Sequence, residues 1–398
     1  MSKIKIKFYN AKSGDAIHIL GKADENIFVD MGYYQTYKEH IADDIDSIYK
    51  SNNTIDLFVI SHIDHDHIEG AIAFLKDISD GKFSKEILDR IWHNSYRHLS
   101  IANVRNSNKD DIEVVKRYYH TLAQHYSEID DKVISAKQGS TLAGLIYGLG
   151  LNWNIDMVHK PILNSIETSI KNICLKVLTP TPYRIKRLKM FWKSELLKLK
   201  YDLEFGENEI FDDAYEFYLL NEAVKSEGSK EISYDYQMST FREMLNKEVM
   251  IKTYEDVSVT NASSISMIIE ENGKRILLTG DANDEDLFEV LTELADNGDT
   301  LQFDVVKLSH HGSKNNNSRW LELVKAKYYV ISTDSSKHNH PDVESIVNVI
   351  LSNKENKKVI CFNNNIDVID KINIDDLKQK YNFTLVRPNR EWGIEIEL

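Results

Sequence analysis

The amino-acid sequence predicts an α/β fold, with two β-sheets packed face to face, helices outside and a helical insertion. Three observations predict it. Strand signals cluster towards both ends of the chain and alternate there with helical ones. Residues 183 to about 256 change to long amphipathic stretches rich in Lys, Glu and Tyr, around a break at Glu227-Gly228-Ser229. Third, the turn Ser61-His62-Ile63-Asp64-His65-Asp66-His67-Ile68-Glu69-Gly70 sits between an apolar strand-like run and a helix-like one. A strand's C-terminal end is where α/β folds place their chemistry.

At 398 residues the length would allow two or three domains. The chain reads better as one domain over residues 1–398, with 183–256 as an insertion or lid within it. Its hydrophobic content of 42% is enough for a sizeable core, and its 5 prolines leave no low-complexity stretch. The two cysteines, Cys174 and Cys361, are far apart, which argues against a disulfide framework or a thiolate metal site. The start, Met1-Ser2-Lys3-Ile4-Lys5-Ile6-Lys7-Phe8, alternates like a strand and not like a signal peptide. No apolar run reaches the roughly 18 to 20 residues of a membrane span. A soluble cytoplasmic protein without membrane contact is expected. The net charge of −14 argues against a broad nucleic-acid surface, which is normally basic, but is compatible with a local basic track. Bound divalent cations would offset part of it.

In chain order, Lys3 to Tyr9, Ala16 to Leu20 and Asn26 to Asp30 read as strands, and Tyr37 to Lys50 as a helix. Ile55 to Ile60 leads as a buried strand into the His/Asp turn, and Ala71 to Lys76 continues it as a helix. Ile87 to Trp92 is a strand. Residues 108–128 and Gly139 to Leu151 read as helices. Ile173 to Leu178 is a strand stopped by Thr179-Pro180-Thr181-Pro182. After the insertion, strands follow at Ser264 to Glu270, Arg275 to Leu278, Asp304 to Leu308, Tyr328 to Ser332, Val359 to Phe362, Phe383 to Val386 and Gly393 to Leu398.

The chemistry concentrates in a few places. His62, Asp64, Asp66 and His67 follow the spacing His-x-Asp-x-Asp-His. Such crowding costs energy unless a cation compensates, and a mixed N/O donor set suits zinc, manganese or iron. Asp281 follows a strand through a Gly turn. His310 and His311 also follow a strand, where neighbours point in opposite directions, so one of the two is expected to face the metals. That one would be a ligand or a general acid. His65 is expected to face solvent, and His93 either lines a pocket or ends a strand. No Ser or Cys nucleophile with a base at motif spacing competes, and no Gly-rich phosphate loop opens a helix.

Together these stretches resemble the metallo-β-lactamase superfamily, and most closely the hydrolase domain of the ComEC-like DNA-uptake proteins. The resemblance rests on His62-Ile63-Asp64-His65-Asp66-His67 and on Ser13-Gly14-Asp15-Ala16, Asp30-Met31-Gly32 and Asn261-Ala262-Ser263-Ser264. It also rests on Leu278-Thr279-Gly280-Asp281, Lys307-Leu308-Ser309-His310-His311-Gly312-Ser313, and Ile331-Ser332 with His340-Pro341, all in the family's order. It spans roughly residues 3–92 and 172–345. The resemblance implies a four-layer αββα sandwich with a two-metal site, holding Zn²⁺ or Mn²⁺, at one edge of the sheets. It assigns His62 and Asp64 to one metal, Asp66 and His67 to the second, and Asp281 to a bridge. His310 or His311 joins them, and His340, followed by the matching Pro341, takes the place of the family's last metal His, with His338 as the near alternative. One departure stands out. The superfamily's further His falls where this chain reads Pro180-Thr181-Pro182, a gap that ComEC-like members tend to share. The site would then hold one tight and one weak metal, or draw on Asn261 or the His-His pair. Asp64 makes the first position harder, which tilts the choice towards Mn²⁺.

The expected mechanism is hydrolysis by a metal-activated water, oriented by a carboxylate such as Asp66. Fold alone does not settle the substrate. A phosphodiester, in nucleic acid or a nucleotide, is favoured by the ComEC likeness. A basic run also favours it: Arg184, Lys186, Arg187, Lys189, Lys193, Lys198 and Lys200, interleaved with Tyr183, Phe191 and Trp192. The bland reading of that run is a solvated helix face. Two alternatives are a hydrolase of a small carbonyl substrate (lactone, ester or thioester), and a regulatory protein whose insertion docks a protein partner.

Overall fold

The computed structural model describes residues 3–95, 98, 142–158, 160–198, 238–252, 256, 258–352 and 355–398, with side chains of 192–198 excepted. The expected helix at 108–128 and the middle of the expected insertion, 199–237, lie outside the described residues.

Strands at the two ends of the chain build two mixed sheets. The first contains β1 (Lys5–Tyr9), β2 (Ala16–Leu20), β3 (Asn26–Met31), β4 (Leu57–Ile60) and β5 (Ile91–His93), with the last strand β14 (Gly393–Glu397) returning to its edge. Its order is β14-β1-β2-β3-β4-β5. The second contains β6 (Glu167–Ile170), β7 (Ile173–Thr179), β8 (Ser266–Glu271), β9 (Lys274–Leu278), β10 (Gln302–Lys307), β11 (Lys325–Ile331), β12 (Lys358–Phe362) and β13 (Phe383–Val386). Its order is β13-β12-β11-β10-β9-β8-β7-β6. In each sheet hairpins make an antiparallel part. Pairings β3–β4–β5 and β9 through β13 are parallel, with crossover segments between their strands.

The side-chain alternation of the strands sorts the apolar residues into three clusters, and these define the layers. Ile27, Val29, Leu57, Val59 and Trp92 of the first sheet meet Met267, Leu278, Val305, Val330 and Cys361 of the second. Their neighbours along the same strands face outward. Phe28, Phe58, Ile60 and Ile91 lie under helix α1 (Ala42–Lys50), helix α2 (His65–Ser79) and helix α3 (Leu142–Gly148). On the other side Leu277, Val306, Tyr329, Ile331, Ile360 and Phe362 are covered in part by α6 (Asp284–Asp296) and α7 (Val343–Ser352). Each such buried side chain contributes about 1.5–3 kcal/mol. The result is the αββα sandwich that the resemblance implies.

The ends of the expected insertion are helices that belong to this packing. Helix α4 (Pro182–Lys198) buries Ile185 and Leu188, and α5 (Met238–Asn246) buries Phe241 and Leu245 in the outer cluster of the second sheet. No helix among the described residues is long and apolar enough to cross a membrane.

Candidate metal centre

The parallel strands deliver their C-terminal ends to one edge of the sandwich, and the polar residues follow them there. His62 comes after β4, Asp281 after β9, and His310 and His311 after β10. The segment Ser332 to His340 comes after β11. Asp30 lies within β3 at a register shift opposite Ala16 and Ile17, with φ of 53°. Such a bulge re-aims a side chain, here towards Ser61 and His67.

Close backbone approaches fix the turn. A Cβ on Gly70 would sit 2.1 Å from the Met31 carbonyl oxygen, so only glycine lets α2 reach the end of β3. A Cβ on Gly14 would sit 1.9 Å from the Asp66 carbonyl oxygen, which seats the β1–β2 loop on the start of α2. The carboxylates of Asp64 and Asp66 lie at that helix N-terminus, where the macrodipole favours negative charge.

Asp30 organises the first pair of imidazoles. It accepts from the Ser61 backbone N–H at 2.7 Å, from Ser61 Oγ at 2.6 Å and from His67 Nδ1 at 2.8 Å. Ser61 Oγ, its proton so committed, accepts from His62 Nδ1 at 3.0 Å. Both rings then present Nε2 inward. Asp281 Oδ2 lies 3.8 Å from His62 Nε2 and 3.6 Å from His67 Nε2. From the other sheet, His311 Nε2 is 3.5 Å away and His310 Nε2 is 4.0 Å away. His311 Nδ1 donates to the Ser332 carbonyl at 2.9 Å, which leaves its Nε2 lone pair free to coordinate. Four imidazoles therefore surround one carboxylate oxygen.

The electrostatics favour a cation at that point. Burial would depress the His67 imidazole, but Asp30 and Asp281 outweigh it and hold its pKa well above the ordinary value. Burial likewise opposes ionisation of Asp281, yet His311, His67 and His310 hold it well below the usual carboxylate range. Asp66 is half-buried, and His67 and Lys337 outweigh its desolvation and bring it down to about 2. His310 is raised to about 9, Asp281 and Asp256 overcoming burial, whereas burial takes His311 down to about 4. The buried Nε2 atoms of His62 and His67 and Oδ1 of Asp281 have no hydrogen-bond partner. Orphaned buried atoms of this kind are costly unless a metal takes them, so the residues fit divalent cations. Ligand atoms of His62, His67 and Asp281 lie within 4.8 Å of one another, as do those of Asp66, His67 and His311.

The placement differs from the sequence expectation in four respects. Both His310 and His311 face Asp281, because both adopt left-handed backbone, with φ of 44° and 53°, and strand alternation does not apply to them. Asp64 is the outlying carboxylate. It is 3.7 Å from His62 Nε2 and 35% exposed, and it falls outside these ligand groups. His340 also falls outside them. It lines the pocket with its ring 5.4 Å from that of His310 and its Nδ1 3.4 Å from Asp342. His65 pairs with Glu69 at 2.9 Å.

Sequence reasoning gave no role to Lys307 or Asp256. The fully buried Lys307 ammonium pairs with Asp15 and donates to the Gly280 carbonyl at 3.2 Å, 3.8 Å from Asp281 Oδ1. Its position beside the His-His pair, in a motif otherwise apolar or hydroxylic, was the available signal. Asp256 Oδ2 contacts His310 Nδ1 at 3.2 Å, and nothing in its sequence neighbourhood marks it.

No family model and no curated protein matches the chain. Among solved structures it is similar to CmlA, a diiron β-hydroxylase from Streptomyces venezuelae. That match has a TM-score of 0.40 and 9% identity, and covers 100% of this chain and 54% of that one. A mutant of CmlA gives 0.40 and 8% over the same shares. A long form of RNase Z from yeast gives 0.37 and 10%, covering 99% of this chain and 49% of that one. The chain spans about half the length of these structures.

Proposed function

We propose that the chain is a metal-dependent hydrolase of phosphodiesters, in nucleic acid or in nucleotides. The observation that carries the reading is the convergence of four imidazole Nε2 atoms on Asp281 Oδ2, with the far nitrogens of His62, His67 and His311 already committed to other partners. Two divalent cations fit the donor set, Zn²⁺ or Mn²⁺ by its mixture of nitrogen and oxygen without thiolate. His62, His67 and Asp281 would hold one, and Asp66 and His311 would serve the other, since the single free nitrogen of His67 can hold only one cation; Asp64 and His340 stand at the rim. Bound there, such cations supply water of near-neutral pKa and charge to clamp anionic oxygens.

The chain's own residues do the rest. Asp66, ionised down to about pH 2, accepts a hydrogen bond from the attacking water and orients it. His310, held protonated between Asp256 and Asn316, stands where it can donate to the leaving oxygen. The basic helix α4 packs beside Asn261 to Ser263, which adjoin His310. Arg184 is committed to Asp286 at 2.7 Å, so it belongs to the packing. Tyr183, Lys186 and Arg187 are exposed and supply the ring and charges that a nucleic-acid backbone needs.

Purified protein given Mn²⁺ or Zn²⁺ is expected to cleave bis-p-nitrophenyl phosphate and plasmid DNA, and Asp66→Ala and His67→Ala are each expected to abolish both. Esterase or lactonase turnover without phosphodiester cleavage would overturn the substrate class. Absence of bound metal in elemental analysis would overturn the enzyme reading altogether.

A further inference from the structure

At the mouth of the pocket a lysine stands beside Asp66, one of the candidate metal ligands. Lys337 lines the pocket together with Ser13, Asp66 and Thr333. Its ammonium lies 3.8 Å from Asp66 Oδ2 and 5.4 Å from the centre of the Tyr33 ring, and its side chain is 36% exposed. Tyr33 is a fixed platform. It is buried, and its hydroxyl shares a 2.7 Å hydrogen bond with Ser13 Oγ. Lys12 lies over the same ring at 5.7 Å. The two loops that carry these lysines are tied together, since the Asp334 N–H donates to the Lys12 carbonyl at 2.8 Å. The carrier of Lys337 is held at its far end too, where Ser335 Oγ donates to the His340 carbonyl at 2.7 Å.

We propose that Lys337, seated on Tyr33 and seconded by Lys12, is the substrate-binding subsite for a phosphoryl oxygen next to the metal centre; this rests on the phosphodiester reading above. The charge balance gives such a group a role beside the protonated His310. The chain carries −14 overall, so its distant field repels an anionic substrate. Attraction has to come from cations within about a Debye length, roughly 8–10 Å, of the reacting atoms. At the pocket the anionic carboxylates of Asp64, Asp66 and Asp281 consume most of the charge that two divalent ions bring. Lys307 is spent on Asp15. Among the pocket-lining residues Lys337 is the lysine. Its separation from Asp66 is longer than a hydrogen bond, so it can turn to a stronger phosphoryl acceptor without breaking a tight pair.

The test is titration of Mn²⁺-loaded full-length protein with inorganic phosphate by calorimetry, with bound Mn²⁺ measured in each variant. Lys337→Met is expected to weaken phosphate binding about tenfold at unchanged Mn²⁺ content, and Lys337→Arg to recover most of it. With bis-p-nitrophenyl phosphate, KM should rise more than kcat falls. A phosphate Kd within about twofold of wild type would overturn the subsite. Loss of Mn²⁺ from Lys337→Met would overturn it too, because the lysine would then be bracing Asp66. Wild-type protein that binds phosphate through Lys337 but cleaves no phosphodiester would remove the proposed function and leave the subsite standing. Cleavage that Lys337→Met matches would remove only the subsite.

Discussion

On the side of the first sheet, the run from Ser61 to Gly70 passes from strand to helix through ordinary backbone, and its one left-handed partner is Asp30, which supports the ligands from behind. On the side of the second sheet the left-handed residues include His310 and His311 themselves, with Ser335, His338 and Asn339 in the segment after β11. Such backbone costs on the order of 1–3 kcal/mol per non-glycine residue and persists only where the surroundings over-determine it. Here Asn317 Nδ2 donates to the carbonyls of Ser309 and Ser313, both at 2.7 Å, and the His310 N–H donates to the Gly280 carbonyl at 3.1 Å. One half of the site therefore puts its strain in a support, the other in the candidate ligands. Strand alternation thus misleads at the His-His pair, while in the first half it is Asp64 and His65 that depart from the expected placement.

The largest expected effect comes from cutting what joins the halves. Lys307, from the second sheet, pairs in the interior with Asp15, from the loop entering β2. Lys307→Met should cost about 3–5 kcal/mol, because it leaves a buried carboxylate without its partner. Asp15→Asn in the same chain should recover much of that. Urea denaturation of the single and double variants measures both. A cost below about 1 kcal/mol would mean that the halves are joined chiefly elsewhere, as by Ser332 Oγ donating to the Gly14 carbonyl at 3.0 Å.

The same contrast explains what the sequence revealed. The strands of both sheets were legible because β-branched and aromatic residues alternate or run together between clear turns, as in Leu57-Phe58-Val59-Ile60. Asp281 was legible because Gly280 marks the turn that presents it. β6 was missed, since Glu167-Thr168-Ser169-Ile170 is a mostly exposed edge with little apolar signal. The orientation of the His-His pair was missed because it depends on Asn316, Asn317 and Ser332, whose hydrogen bonds exist only after the second sheet has formed. Arg184 was counted with a basic track because its partner Asp286 is 102 residues away in sequence.

A second effect sharpens the comparison with a titration in the first sheet that one substitution removes. His18 of β2 is buried, stacked on Phe28 at 4.2 Å, with Nε2 donating to Asn26 Oδ1 at 2.9 Å. Burial lowers its pKa from 6.5 to about 4. The unfolded chain therefore takes up this proton first as the pH falls. The stability from burying the neutral ring is complete above about pH 6.5 and is lost progressively down to about pH 4, by about 3 kcal/mol. His18→Gln keeps a donor for Asn26 and removes the titration, so it should flatten that stretch of the stability curve. Hydrogen exchange at pH 5 should show slower opening of β1 to β3 in the variant than in the wild type, with β9 to β11 little changed because His311 titrates in both. Equal slowing in both sheets would show that the halves open together.

The smallest expected effect addresses the two supports directly. Asp30 is almost wholly buried and fixes the tautomers of two imidazoles, His67 by direct contact and His62 through Ser61. Asp256 is 14% exposed and, among the imidazoles at the centre, contacts His310. Outer partners of metal-bound histidines are worth roughly 10–100-fold in affinity. Asp30→Asn should fall in that range, because an asparagine has one acceptor oxygen where the carboxylate has two and brings an amide where protons already point. Asp256→Asn should cost about tenfold or less, since Asn316 remains beside His310 at 3.2 Å. Calorimetric titration of each variant with Mn²⁺ measures the ratio. Equal losses would mean that the strained pair depends on its support as heavily as the regular pair does, and that left-handed backbone at His310 and His311 does not by itself hold the rings towards Asp281.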